Sequence, residues 1–255
     1  MGKSNQSTQE INSQAQNPLG TAPVGGLIAK FAIPAIISML VSAMYNIVDQ
    51  IFIGQGVGML GNAATNVAFP VTTIATALAL LLGIGGASNY NLEMGAGQEK
   101  KASGIAGTAL SSLVISGLIL AVIALVFLKP LLTLFGATTD VMPYAVAYTG
   151  ITALGLPFYI LSVGGNHVVR ADRSPTYSMT CIMIGAIINT ILDPVFIFVF
   201  GWGIKGAAWA TVIGQVVSGV LVIVYFWKFR NMYLTGAMLK PKMPYLKAII
   251  SLGLA

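Results

Sequence analysis

Two aspartates stand inside long apolar runs: Asp49, in Asn46-Ile-Val-Asp49, and Asp193, in Asn189-Thr-Ile-Leu-Asp193-Pro194. A lone carboxylate at the centre of a membrane-spanning helix costs about 2.5–3.5 kcal/mol, so each needs a partner, a proton or water. Helix geometry supplies partners. Asn189 and Asp193 are four residues apart and stack on adjacent turns of one face, while Asn46 and Asp49 are three apart. Pro194 has no N–H, which releases the carbonyl of Thr190 from its intrahelical bond. Carboxylate, amide, hydroxyl and carbonyl oxygens are the hard ligands a sodium ion prefers. Two neighbouring carboxylates also resist being charged together, which suits a proton carrier. Either coupling ion fits, and this chemistry calls for no other cofactor.

Depth along the membrane brings a third residue to the same level. At about 1.5 Å of rise per residue, Asp49 lies roughly 20 residues past Lys30 and Asp193 similarly far past Arg173. Thr211 belongs to a helix running the other way and sits about two turns in from Lys205. All three therefore reach the outer half of the membrane. Taken singly, each acid has a plainer reading. Asp49, five residues before Gly54, would suit the headgroup level, and Asp193-Pro194 a water-exposed helix end.

The elements that must position these groups follow from composition. Of 255 residues, 56% are hydrophobic and 8% charged, and mean hydropathy is +0.85. Soluble domains carry about 25% charged residues, so a water-soluble fold is excluded, and one cysteine excludes a disulfide scaffold. The apolar runs are long and nearly free of charge, unlike the alternating strands of an outer-membrane barrel. That leaves an all-α integral membrane protein, because a helix satisfies its own backbone in lipid. Spans read near 27–53, 65–91, 103–128, 141–165, 176–200 and 206–227.

The formal charge of +6 is a topology signal rather than a nucleic-acid footprint. Eleven basic residues (Lys3, Lys30, Lys100, Lys101, Arg170, Arg173, Lys228, Arg230, Lys240, Lys242 and Lys247) fall on one side, and Lys129 and Lys205 on the other. The positive-inside rule then places the N-terminus and the segment after span six in the cytoplasm. Residues 1–26, rich in Ser, Gln, Asn and Thr, read as a disordered cytoplasmic tail with no signal-peptide h-region. Residues 27–227 form the six-span lobe and 228–242 a basic linker. Residues 243–255 start a seventh apolar helix too short to cross a bilayer. That start faintly echoes the opening of span one, as expected where a second copy of the bundle begins. A missing C-terminal lobe, or a second copy of a naturally half-length chain, is the expected partner.

Spans five and six, Asn189-Thr-Ile-Leu-Asp193-Pro-Val-Phe-Ile-Phe198 and Gly203-Ile-Lys-Gly206-Ala-Ala-Trp-Ala-Thr211, resemble the multidrug and toxic compound extrusion (MATE) family. So do Val169-Arg170-Ala171-Asp172, Pro34, and Asn46-Ile-Val-Asp49-Gln-Ile-Phe-Ile-Gly54, and the resemblance runs from about Gly26 to the end. It implies one six-span lobe of a two-lobe, twelve-span transporter in the plasma membrane (the prokaryotic inner membrane). It implies a cation site at Asp49, Asn189, Asp193 and Thr211, open to sodium or a proton, and a bend in span one at Pro34, with Pro194 as a second hinge. The activity implied is export of small cationic or amphipathic drugs in exchange for sodium ions or protons, and not enzymatic catalysis. Membrane lipids are the other expected contact.

Tyr45, Asn46, Tyr148 and Asn166 are candidates for lining a drug cavity, since tyrosine rings suit cations. Tyrosine is equally an ordinary interface anchor. Gly206, Ala207, Ala208 and Ala210 read as a close-packing face. Gly83, Gly85 and Gly86 lack the strand and Lys-Ser/Thr of a phosphate loop. Cys181 reads as core, and His167 as interfacial. Three alternatives compete with drug export. A lipid-linked oligosaccharide flippase would need a cationic cavity, whereas Arg and Lys crowd one edge here. An intramembrane aspartyl protease would need Tyr-Asp and Gly-x-Gly-Asp motifs, which are missing. The third is a non-transporting fragment or scaffold half.

Overall fold

In the computed structural model, residues 24–229 and 236–254 are described; nearly all of the expected 1–26 tail and part of the 228–242 linker fall outside them. Six helices are long and apolar enough to cross a membrane. They are α1 (Val24–Gly56), α2 (Met59–Gly95), α3 (Glu99–Val126), α5 (Met142–Ala171), α6 (Pro175–Pro194) and α7 (Ile204–Val224). A short α4 (Leu128–Leu134) precedes α5, and α8 (Met243–Gly253) follows the last span. The helices start where the sequence provides for it. Pro143, Pro175 and Pro244 occupy first-turn positions, where the missing N–H costs nothing. Gly58 and Gly203, at φ 85° and 54°, turn the chain into α2 and α7.

Lipid offers no hydrophobic drive for helices to associate, so close packing must hold them. The α2–α5 crossing uses Gly83 against Gly164: a Cβ added at Gly83 would lie 2.6 Å from the Gly164 Cα. Gly185 and Gly214 do the same for α6 and α7, and Gly206 lies against the backbone of Phe196. The glycines whose spacing faintly suggested a phosphate loop are thus helix crossings. The main core, which includes Cys181, lies among α2, α3, α5, α6 and α7. α1 stands outside it, packed along α6 and barely against α2 or α7, with Met39, Leu40, Met44 and Ile47 exposed on its far side.

The end of the bundle that gathers the α2–α3 and α5–α6 connections holds a buried polar knot. Asp172 is 1% exposed. The Tyr90 hydroxyl donates to its Oδ1 at 2.9 Å and the Tyr225 hydroxyl to its Oδ2 at 2.7 Å. Ser174 Oγ lies 2.7 Å from the Tyr225 hydroxyl, and Arg170 Nε donates to Ser178 Oγ at 3.0 Å. One side chain thereby ties α2, the α5–α6 turn and the end of α7. The neighbouring Arg173 has φ 63°, a left-handed backbone unusual outside glycine. Nearby, α8 docks on α2 and α3: Asn89 donates to the Ala248 carbonyl at 3.0 Å, and Gly85 makes room for the Ile249 carbonyl.

Candidate functional site

At the opposite end of the bundle, α1 and α6 run side by side in the same direction and bring Asp49 and Asp193 together. Asp49 is 6% exposed and Asp193 fully buried, and their carboxyl groups lie within hydrogen-bonding reach of each other. Carboxylates this close repel unless a proton or a cation lies between them. Asn189, one turn back on α6, donates from Nδ2 to Asp193 Oδ1 at 3.5 Å. Three buried oxygens face inward without a protein donor: Asp49 Oδ1, Asn189 Oδ1 and Asp193 Oδ2. Asp193 does not mark a water-exposed helix end. The helix runs on through Pro194 into a single π-helical turn, Val195–Val199. Past Asp49, α1 continues to Gly56 with Ile53 fully buried.

Thr211 joins this group indirectly. Its hydroxyl lies near the phenol of Tyr148 on α5, and Tyr148 in turn neighbours Asp49, Asp193 and Tyr45. The small residue Gly214, one turn along from Thr211, lets α7 close onto Asn189: a Cβ there would stand 3.1 Å from the Asn189 Cβ. Each polar position is backed by an apolar one a turn nearer the membrane surface. Ile53 follows Asp49, Ile197 follows Asp193, and Ala207 and Tyr144 precede Thr211 and Tyr148. Ile53, Ile197 and Ala207 join Ile204 in one buried cluster against which Tyr144 packs. The acid pair therefore sits beneath a dry layer.

The expected drug-cavity residues separate. Tyr45 and Tyr148 lie beside the acids. Asn46 is on another face of α1, where its amide donates to the Ser42 carbonyl at 2.6 Å and it lines a groove of about 610 Å³ between α1 and α2. Asn166 is 18 residues beyond Tyr148 on one helix, roughly 27 Å away by helix rise. It is 2% exposed and bonds the Ser162 carbonyl at 2.7 Å, so it belongs to the α5 interior and not to that groove. Pro34 lies 15 residues before Asp49, and α1 passes through it as one helix, with Ser38 Oγ donating to the Pro34 carbonyl at 2.6 Å.

The groove holds residues that sequence reasoning passes over: Gln50, Gln55 and Asn62, with Ile47, Ile51 and Gly54. A signal exists, because Asn46, Gln50 and Gly54 recur every four residues on α1. Thr65 Oγ1 donates to Gln50 Oε1 at 3.1 Å. Gln215 and Thr149, each with a buried oxygen lacking a partner, escape a reading of the sequence too. Among the described residues, no three His, Cys, Asp or Glu side chains gather. Two carboxyls with amide and hydroxyl oxygens form a donor set for an alkali cation or a proton, not for a thiophilic metal.

A family model, MatE, matches residues 34–195. Multidrug export protein MepA of Staphylococcus aureus (strain MRSA252) is 28% identical over 234 residues, covering 91% of this chain and 52% of MepA. MepA of Staphylococcus haemolyticus is 31% identical over 196 residues, covering 77% of this chain and 43% of that protein. Among solved structures, a MATE in complex with MaD3S superposes with a TM-score of 0.83 at 29% identity, over 89% of this chain and 51% of that one. A MOP superfamily transporter from Pyrococcus furiosus, described as having a binding pocket of reverse polarity, gives 0.82 at 29% identity over 89% and 50%. The chain spans about half the length of the curated relatives it matches.

Proposed function

The chain belongs to the MatE family, and from that premise we propose that it forms one lobe of a cation-coupled exporter of cationic or amphipathic drugs. The observation that carries the reading is the buried pair Asp49–Asp193, with Asn189 alongside and three inward oxygens awaiting a donor or a cation. In this reading a sodium ion or a proton enters between the carboxyls and cancels their repulsion. Asn189 Oδ1 adds a neutral ligand, with Thr211 and Tyr148 close by. One charge moving through the membrane potential supplies about 2.3 kcal/mol per 100 mV, enough to bias a helix anchored as lightly as α1. MepA being a multidrug export protein supports the drug as cargo. The groove beside Asn46 carries no Lys or Arg, which favours drugs over a pyrophosphate-linked lipid. Charge asymmetry supports a cytoplasmic N-terminus in a prokaryotic inner membrane, and the second lobe is a further polypeptide segment or a second copy.

Drug accumulation in cells producing the protein tests this. Asp193→Asn and Asp49→Asn should each abolish drug extrusion driven by a sodium or proton gradient. Wild-type extrusion in either variant overturns the assignment.

A further inference from the structure

The segment that follows the last span is laid along the bundle. The turn Gly236–Leu239 packs on α3, and α8 packs on α2 and α3. Both use notches left by small residues. A Cβ at Gly107 would meet the Met238 carbonyl, and one at Gly104 would stand 2.9 Å from the Tyr245 ring. The Lys242 N–H donates to Thr108 Oγ1 at 3.5 Å. Helix rise fixes the level of this strap. Gly107 comes eight residues after Glu99, the start of α3, or about 12 Å along the axis. The strap therefore crosses the flank of the bundle at headgroup depth rather than projecting into water. Its outward side alternates apolar and basic. Leu239 and Met243 are 47% and 70% exposed, with Lys240, Pro241 and Lys242 exposed between them and Lys247 exposed on α8. Lys242 Nζ stands 5.5 Å over the Tyr245 ring, a cation–π contact one helical turn from Lys100 and Lys101 on α3. Among the described residues, the one ion pair at this corner joins Lys101 to Glu93 at 2.7 Å, so five lysines stand against two acids, Glu93 and Glu99.

We propose that this strap docks on the anionic phospholipid leaflet at the lysine-rich end of the bundle. Lys240, Lys242 and Lys247 take headgroup phosphates, and Leu239 and Met243 enter the chains beneath. Apolar insertion and attraction to anionic lipid add in such interfacial segments. A lysine near the surface is worth about fivefold in lipid affinity, and salt screens that attraction beyond about 10 Å at 0.1 M. Lipid held there backs the strap into its notches at Gly104 and Gly107, which makes the leaflet part of what seats α8. A water-soluble anion would meet the same ammonium groups but gain nothing from Leu239 and Met243. That difference selects a lipid. The acid pair lies at the opposite end, so the inference stands apart from ion coupling.

The test places the full chain in nanodiscs of mixed phosphatidylcholine and phosphatidylglycerol and counts the lipid it retains by native mass spectrometry. Phosphatidylglycerol should be retained in preference at about 0.1 M salt, and most of that preference should vanish at about 1 M. The triple variant Lys240→Gln/Lys242→Gln/Lys247→Gln should lower the preference by about tenfold or more, at about fivefold per lysine. Arginine at the same three positions should keep it. Leu239→Ser/Met243→Ser should weaken retention and leave its salt dependence in place. Melting in pure phosphatidylcholine checks folding, and Lys240→Gln alone gives the same reading at about fivefold where the triple variant does not fold. Wild-type retention in a folded lysine-to-glutamine variant overturns the proposal. So does an equal loss in Lys129→Gln/Lys205→Gln, at the other end of the bundle. Displacement of the lipid by millimolar inorganic phosphate would make this a soluble-anion site and overturn the leaflet as its partner.

Discussion

The bundle buries aspartate at both ends, and the two sites are built in opposite ways. At one end both Asp172 carboxylate oxygens accept tyrosine hydroxyls from α2 and from the residue capping α7, in a dense corner also packed by Tyr177 and Phe226. At the other, Asp49 and Asp193 face each other, each keeping an oxygen that no protein donor reaches, and one of them rides on the least packed helix. A buried polar group that is fully bonded rigidifies a fold. One that is left wanting has a different job or is a defect. The contrast gives the first cluster a stabilising part, and under the proposed function it leaves the second free for ion exchange.

Breaking the contrast begins with the acid pair. Asp193→Asn should reduce gradient-driven drug extrusion by more than about tenfold, in line with loss of a coupling energy of about 1–3 kcal/mol. It should leave the melting temperature unchanged or raised, because a carboxyl buried opposite another is replaced by a neutral amide. Asp172→Ala should do the reverse and cost about 3 kcal/mol of stability, since two phenols lose an acceptor inside the protein. Melting in detergent reads both, and a destabilised Asp193→Asn would erase the distinction. Tyr225→Phe, which removes one donor to the Asp172 carboxylate, should cost about 2 kcal/mol, with gradient-driven drug extrusion unchanged.

The spans are legible in the sequence because uninterrupted apolar length is a local signal. The reading of 65–91 falls inside α2, that of 206–227 inside the apolar span Ile204–Trp227, and α8 starts at Met243. Asp49, Asn189 and Asp193 are reachable from spacing and depth, since helix rise converts sequence distance into membrane height. Rotation about the helix axis is not encoded in that way. Asn46 and Asp49 share a turn, yet face the groove and the acid pair respectively. Asn166 shares a residue type and a span with the cavity candidates, although one helix holds it far from Tyr148. The Asp172 knot depends on Tyr90 and Tyr225, 82 and 53 residues away, and no local pattern announces such a meeting. The αL backbone of Arg173 is equally silent, because arginine carries no preference for it.

Packing links the two halves of the comparison, and a smaller perturbation probes that link. Gly214 is where α7 meets α6, and a methyl carbon added there would stand 2.8 Å from the Gly185 carbonyl oxygen and 3.1 Å from the Asn189 Cβ. Gly214→Ala must push the helices apart by a few tenths of an ångström, at about 1–3 kcal/mol for an overpacked contact. Displacing Asn189 moves a ligand oxygen of the acid pair but nothing at Asp172. Gradient-driven drug extrusion should therefore weaken while the tyrosine knot stays protected in amide hydrogen exchange around residues 170–174. Smallest of all, Arg173→Gly replaces a strained left-handed residue, which costs roughly 1–2 kcal/mol, by one that loses about 0.5–1 kcal/mol in chain entropy. The net gain is at most about 1.5 kcal/mol of stability, visible in melting and absent from drug extrusion. Extrusion that changed with Arg173 would mean the knot takes part in transport, and the division between a rigid end and an exchanging end would have to be redrawn.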